Sequence, residues 1–293
     1  MTLPEAALLG LIQGLTEFLP ISSTAHLLIA RRALGHPNPQ DGFTTVIQLG
    51  TLIAVFVFFR SDLLAMLKAV LADLKVRRFA ASTESRLAWL IVLGTLPVVA
   101  IGAAFNKFIK ATFYDPISIA VVAIVFSLLM LAAELWHRKR KQGNGTVEIT
   151  AERLTWKESL WMGCWQALAL LPGASRSGTT ITGGLFAGLE RGTAARFSFL
   201  LSLPAILGAG LKDLYDEYKL LKDPSLEPRP SLFASSDDVL ALLVATAVSA
   251  IVGYAAIAWL MKFLSKQSML AFVVYRLVLA AVILIAAWRG FFG

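Results

Sequence analysis

The chain has 293 residues, 57% of them apolar and 16% charged, with a mean hydropathy of +0.71. That balance excludes an ordinary soluble domain and marks an integral membrane protein. The formal charge of +8 comes from basic residues set between apolar runs, with no face of interleaved aromatics, so it points to membrane topology and anionic lipid, not to nucleic acid.

The opening residues, MTLPEAALLG, carry no basic n-region and no A-x-A cleavage site, so the first hydrophobic segment is expected to stay in place. Segment 3–34 is apolar but broken at LPISS. Proline lacks an N–H and clashes with the preceding turn, so two short helices are predicted, with Ser22 or Ser23 as N-cap of the second. A crossing takes roughly 20 apolar residues, and neither half supplies them. Broken backbone at membrane depth is tolerated only against protein or a wet cavity, so this segment is predicted to be a re-entrant hairpin facing an interior site.

Three uninterrupted spans follow, 43–60, 86–105 and 116–136. The second broken segment, 158–188, is interrupted at LPGASRS, with Ser175 as N-cap, and holds Cys164. A single cysteine excludes an intrachain disulfide and a thiolate metal cluster. Spans 196–213, 239–261 and 269–289 complete the chain. The connections 61–85 (Lys68, Lys75, Arg77, Arg78) and 137–157 (Arg138, Lys139, Arg140, Lys141, Arg153, Lys157) are basic and read as cytoplasmic. The connection 214–238, with Asp216, Glu217, Asp223, Glu227, Asp237 and Asp238 against Lys219, Lys222 and Arg229, reads as external. Both termini then lie outside.

The order hairpin, span, span, span thus occurs twice, once from each side. The predicted fold is an all-α polytopic membrane protein with an inverted-topology repeat: residues 1–136, a basic cytoplasmic connection 137–157, and residues 158–293. Gln13 and Gln166 hold similar places before the two breaks. One site near mid-membrane is expected, where EFLPISSTAH and PGASRSGTT meet. The G-x-x-x-G pairs Gly10/Gly14 and Gly184/Gly188 are expected to pack helices closely.

Gln13 and Glu17 share a helical face, where an amide oxygen and a carboxylate suit a hard cation such as Mg²⁺ or Ca²⁺; Glu17 paired with Arg176 is the structural alternative. Ser22, Ser23 and Thr24 open a helix whose N-terminus favours an anion. His26, three residues after Ser23, is expected on the same face, the minimal arrangement for an activated nucleophile. The second tip offers Ser175, Arg176, Ser177 and Thr180, with a guanidinium that matches phosphate oxygens. Together these residues describe a phosphate site. Glu134 sits at the basic end of its span and Arg276 inside the last one, to snorkel or pair. Arg31 and Arg32 end the first hairpin on the outer side, against the positive-inside trend.

These residues resemble the undecaprenyl-diphosphate phosphatase family, the bacitracin-resistance type of bacterial membrane phosphatase. Its pattern of Glu or Gln, three residues, then Glu matches Gln13 and Glu17. FLPISSTAH matches the stretch whose Ser and His are assigned to catalysis, here Ser23 and His26. PGASRSGTT matches Pro-Gly-x-Ser-Arg-Ser-x-x-Thr through Ser175, Arg176, Ser177 and Thr180. The resemblance runs over essentially the whole chain, with Gln13 standing where a second glutamate is allowed. It implies hydrolysis of the terminal phosphate of a polyprenyl diphosphate, a divalent cation held by Glu17 and Gln13, and a site opening outside the bacterial inner membrane. It also implies Ser23, His26, Glu17 and Arg176 in catalysis and Ser22, Thr24, Ser175, Ser177 and Thr180 on phosphate. A homodimer is left open. The competing class is a transporter or flippase for a lipid phosphate, which shares the architecture but needs no Ser and His at the anion site.

Overall fold

The computed structural model describes residues 1–36, 42–142, 148–223, 225, 232–233 and 235–292. Among the described residues the chain forms eleven α-helices and no strand. They are α1 (Leu3–Phe18), α2 (Ser23–Ala33), α3 (Gly42–Phe58), α4 (Arg60–Lys75), α5 (Thr83–Phe113) and α6 (Pro116–Gln142), then α7 (Trp156–Leu168), α8 (Arg176–Ala187), α9 (Arg191–Lys222), α10 (Ser236–Leu264) and α11 (Leu270–Trp288). Helices α5, α6, α9, α10 and α11 are each long and apolar enough to cross a membrane, and α3 with α4, bent by 72° between them, makes a sixth candidate. The protein is a multi-pass membrane protein.

The predicted spans 86–105, 116–136, 196–213 and 239–261 fall inside α5, α6, α9 and α10, while 43–60 and 269–289 overrun α3 and α11 by one or two residues, and the connections differ. Residues 61–85, read above as a connection, are mostly α4, while α6 and α9 run on into 137–157 and 214–238. The physical reason is that Lys, Arg, Glu and Leu are good helix formers, so the backbone ladder continues past the edge of the hydrocarbon where a hydropathy reading stops. Glu227 and Arg229, counted in the external connection, lie outside the described residues, as does the side chain of Lys141.

The two halves use the same capping chemistry. Thr2 and Glu5 form a capping box on α1, and Thr155 and Glu158 form the same box on α7. Ser22 and Ser175 cap α2 and α8 from nearly identical backbone, φ 70°, ψ 98° and φ 67°, ψ 108°. Ser82 caps α5 and Ser235 caps α10. One constant interval in sequence separates the members of all three pairs.

Packing crosses between the halves. α1 lies along α10, and α7 lies along α5, so the first arm of each hairpin rests on a span of the other half. Glycine permits this approach: a Cβ on Gly10 would lie 2.3 Å from the carbonyl oxygen of Ala245, and one on Gly163 2.2 Å from that of Gly94. Gly14 packs likewise on Ser249 and Gly184 on Ala194. Gly188 does something else, ending α8 in the left-handed conformation at φ 88°. At the basic end, the fully buried carboxylate of Glu134 accepts from Arg191, from Arg138 and from the backbone N–H of Met269, tying α6 to α9 and to the start of α11.

Candidate active site

Gln13 and Glu17 lie one turn apart on α1, and both are buried. At Leu19 the chain leaves the helix, and Ser22, at positive φ, reverses it into α2. That reversal brings Ser23 back onto Glu17. The Ser23 hydroxyl donates to Glu17 Oε2 at 2.8 Å, Gln13 Nε2 donates to the same oxygen at 3.0 Å, and Arg176 Nη2 of the second tip donates to Oε1 at 3.0 Å. Ser177 Oγ donates to the carbonyl of Leu19 at 3.2 Å, a second link between the tips.

Serine at positive φ is strained backbone, yet it recurs at both breaks, held by the cap bonds from Ala25 N–H to Ser22 Oγ and from Gly178 N–H to Ser175 Oγ. The conformation aims the N-termini of α2 and α8, with their unpaired N–H groups and positive dipole ends, at one place. That place is a cavity of about 310 Å³. Glu17, Ser22, Ser23 and Thr24 line it from the first tip, and Gln166, Ser175 and Arg176 from the second. Its walls also include Thr45 and Gln48 of α3, Asn106 and Lys110 of α5, Tyr114, and Lys212 and Asp213 of α9.

Several polar atoms at or next to the cavity have no protein partner: both amide atoms of Gln166, Nη1 of Arg176, and Oε1 of Gln13, which is fully buried, bonds Glu17 through its Nε2 and lines no part of the cavity itself. Buried polar groups are normally satisfied, so such atoms mark where water, an ion or a ligand completes the bonding. Among the described residues no three His, Cys, Asp or Glu are gathered as a metal cluster. The donors beside Glu17 are oxygens, its own carboxylate and the unpartnered Gln13 Oε1, and they fit a hard cation that keeps waters and takes oxygens from a ligand.

The structure divides the predicted residues. Glu17, Ser22, Ser23, Thr24, Ser175 and Arg176 meet at the cavity. Ser177 and Thr180 are fully buried and line no part of it; the Thr180 hydroxyl bonds to the carbonyl of Arg176 and to Ser198. His26, expected on the face of Ser23, points elsewhere. Its Nδ1 is 2.7 Å from the carbonyl of Ser22 and its Nε2 2.7 Å from the Tyr275 hydroxyl, with the two rings stacked. A carbonyl only accepts, so Nδ1 carries the proton and Nε2 accepts from Tyr275. His26 and Tyr275 belong to a separate apolar groove with Leu11, Leu15 and Ile29. The difference arises because Ser23 is the first residue of α2, where its hydroxyl bonds back to Glu17, while the His26 ring is held by the carbonyl of Ser22 and the hydroxyl of Tyr275. Gln166 and the wall residues Gln48, Lys110 and Lys212 were not singled out as site residues from sequence. A glutamine inside an apolar run, as at Gln48 and Gln166, was the available signal.

Residues 6–282 match the family described as bacitracin resistance protein BacA. The chain is 45% identical over 284 residues to a protein of Chloroherpeton thalassium named undecaprenyl-diphosphatase, covering 97% of this chain and 96% of that one. A protein of Chlorobium phaeobacteroides with the same name is also 45% identical over 284 residues, with the same coverage. One of Chlorobium phaeovibrioides, again so named, is 43% identical over 290 residues, 99% of each chain.

Proposed function

The chain belongs to the bacitracin resistance protein BacA family, and on that premise we infer that it is an undecaprenyl-diphosphatase, releasing inorganic phosphate and undecaprenyl phosphate. The monophosphate is the lipid carrier that cell-wall precursor synthesis reuses, and the family name ties the activity to bacitracin resistance. The observation that carries the reading is the contact set at Glu17, where a serine hydroxyl and a guanidinium share one carboxylate beneath two helix N-termini.

The proposed chemistry follows from those contacts. The terminal phosphoryl group sits over Ser23, with the free Nη1 of Arg176 and the N-termini of α2 and α8 against its oxygens. Ser23 Oγ attacks phosphorus, its proton passes to Glu17 Oε2, and the bond to the bridging oxygen breaks so that undecaprenyl phosphate leaves with the electron pair. Water then displaces Ser23 from the phosphoseryl group, giving orthophosphate and returning the serine its proton. Such a transfer needs mainly positioning and charge neutralisation. Glu17 and Gln13 Oε1 would hold the divalent cation, which when bound neutralises diphosphate charge. With His26 turned from the cavity, Glu17 is the nearer proton acceptor, and His26 fixes the carbonyl of the Ser22 cap.

The chain resides in the bacterial inner membrane, and the cavity opens to the external side. Support comes from its wall residues Lys110 and Tyr114, at the end of α5, and Lys212 and Asp213, in the last third of α9, remote from the basic segments around Arg77 and Arg138. The test is phosphate release from a C55 prenyl diphosphate by purified protein in detergent, with and without EDTA, against Ser23→Ala. Release lost to chelation and to the substitution is expected; folded protein that releases none overturns the reading.

A further inference from the structure

Arg276 lies in the middle of α11 with its side chain fully buried. No carboxylate pairs with it among the described residues. Its Nη2 donates to the carbonyls of Gly173 at 3.1 Å and Ala123 at 3.3 Å, its Nη1 to the carbonyl of Pro20 at 3.4 Å, and its Nε to Ser127 Oγ at 2.8 Å. A buried cation with no counter-ion is costly in a membrane protein, and its retention needs a reason.

The acceptors supply one. Pro20 and Gly173 are the same position in their two hairpins, each two residues before the positive-φ serine that caps the next helix. Helix breaks leave such carbonyls without an intrahelical partner. Ala123 in turn stands in α6 where Arg276 stands in α11, by the same interval that relates Ser22 to Ser175. One guanidinium therefore spans the axis relating the halves, taking equivalent carbonyls from both tips. The counterpart residue is an alanine, fully buried, which leaves room for only one such side chain. On the far side Gly173 is pressed against α6, where a Cβ would lie 2.3 Å from the carbonyl oxygen of Ile119.

We propose that Arg276 is a positioning residue for phosphoryl transfer: its fork sets the separation of the two tips, and with it the placement of Ser23 and Glu17 against Arg176. The inference rests on the function proposed above. Lysine keeps the charge but cannot fork to several carbonyls at once, so Arg276→Lys isolates geometry from charge.

The experiment measures kcat and KM for a prenyl diphosphate in detergent, alongside thermal unfolding and gel filtration. Folded Arg276→Lys should lose about tenfold or more in kcat with KM within about threefold, since a misplacement of about 1 Å at a reacting centre costs that much or more. Transplanting the side chain, Arg276→Ala with Ala123→Arg, should recover a large part of the loss, because the carbonyls it reaches are equivalent. Ser127→Ala removes the Nε contact, together with the bond the Ser127 hydroxyl donates to the carbonyl of Ala123, and should lower kcat about threefold; it decides the matter if Arg276→Lys does not fold. Unchanged kcat in folded Arg276→Lys, or in Ser127→Ala where that variant fails to fold, overturns the inference. A wild-type protein that releases no phosphate overturns the function instead.

Discussion

Glu17 on the first hairpin and Arg176 on the second, 159 residues apart in sequence, meet at 3.0 Å with 8% and 14% of their side chains exposed. Removing one member of such a pair leaves the other without its counter-charge in a mostly buried setting. Glu17→Ala and Arg176→Ala should each reduce phosphate release at least about 100-fold and each lower stability by roughly 2–3 kcal/mol, the low side of a buried pair because the cavity admits water. The double variant should be less destabilised than the sum of the two. A thermal double-mutant cycle reads the coupling, and additive losses would remove the pair from the account of the site.

Gln13 offers one amide oxygen beside Glu17, and that oxygen has no protein partner. Activity lost to EDTA should return with Mg²⁺ or Ca²⁺. Gln13→Ala should raise the half-saturating cation concentration several-fold, and Gln13→Glu should lower it by adding charge. Titration of phosphate release against free cation measures both; identical curves for all three proteins would place the ion elsewhere.

Ser23 bonds to Glu17 inside the cavity, whereas His26 bonds to Tyr275 outside it. Rapid quenching with label in the terminal phosphate should trap acid-stable phosphoserine at Ser23 and no acid-labile phosphohistidine at His26. Tyr275→Phe removes one neutral hydrogen bond and should lower stability by about 1 kcal/mol while leaving turnover within about threefold. Label on His26 would reverse the assignment of the nucleophile.

Gly10 touches the backbone of α10 so closely that a methyl group has no space. Gly10→Ala should destabilise the protein by about 1–3 kcal/mol, the usual range for overpacking, although alanine is the better helix former. Thermal unfolding in detergent checks the sign. A stabilised variant would show that α1 and α10 can part freely.

The fold was legible where hydropathy and helix breakers agree. LPISS and LPGASRS marked both breaks, and Ser22 and Ser175 are the caps that the proline positions suggested. Composition could not reveal that α3 turns at Phe59 into a further helix, because the polar residues of α4 are as compatible with a helix as with a loop. In the site, Glu17, Ser23 and Arg176 were legible because polar groups at membrane depth are rare. The direction of His26 was not, since it depends on a tyrosine 249 residues away. Arg276 was visible as an intramembrane cation, but its partners are backbone carbonyls, which leave no trace in sequence.

The constant interval that matches Ser22 with Ser175 also matches Glu17 with Leu170 and Ser23 with Arg176. Identical scaffolding therefore carries opposite chemistry: one half presents the acid and the hydroxyl, the other the guanidinium. Glu17 and Ser23 lie before the basic segment around Arg138 and Arg176 lies after it, so the contacts at Glu17 draw on both parts of the chain and neither part alone holds the full set.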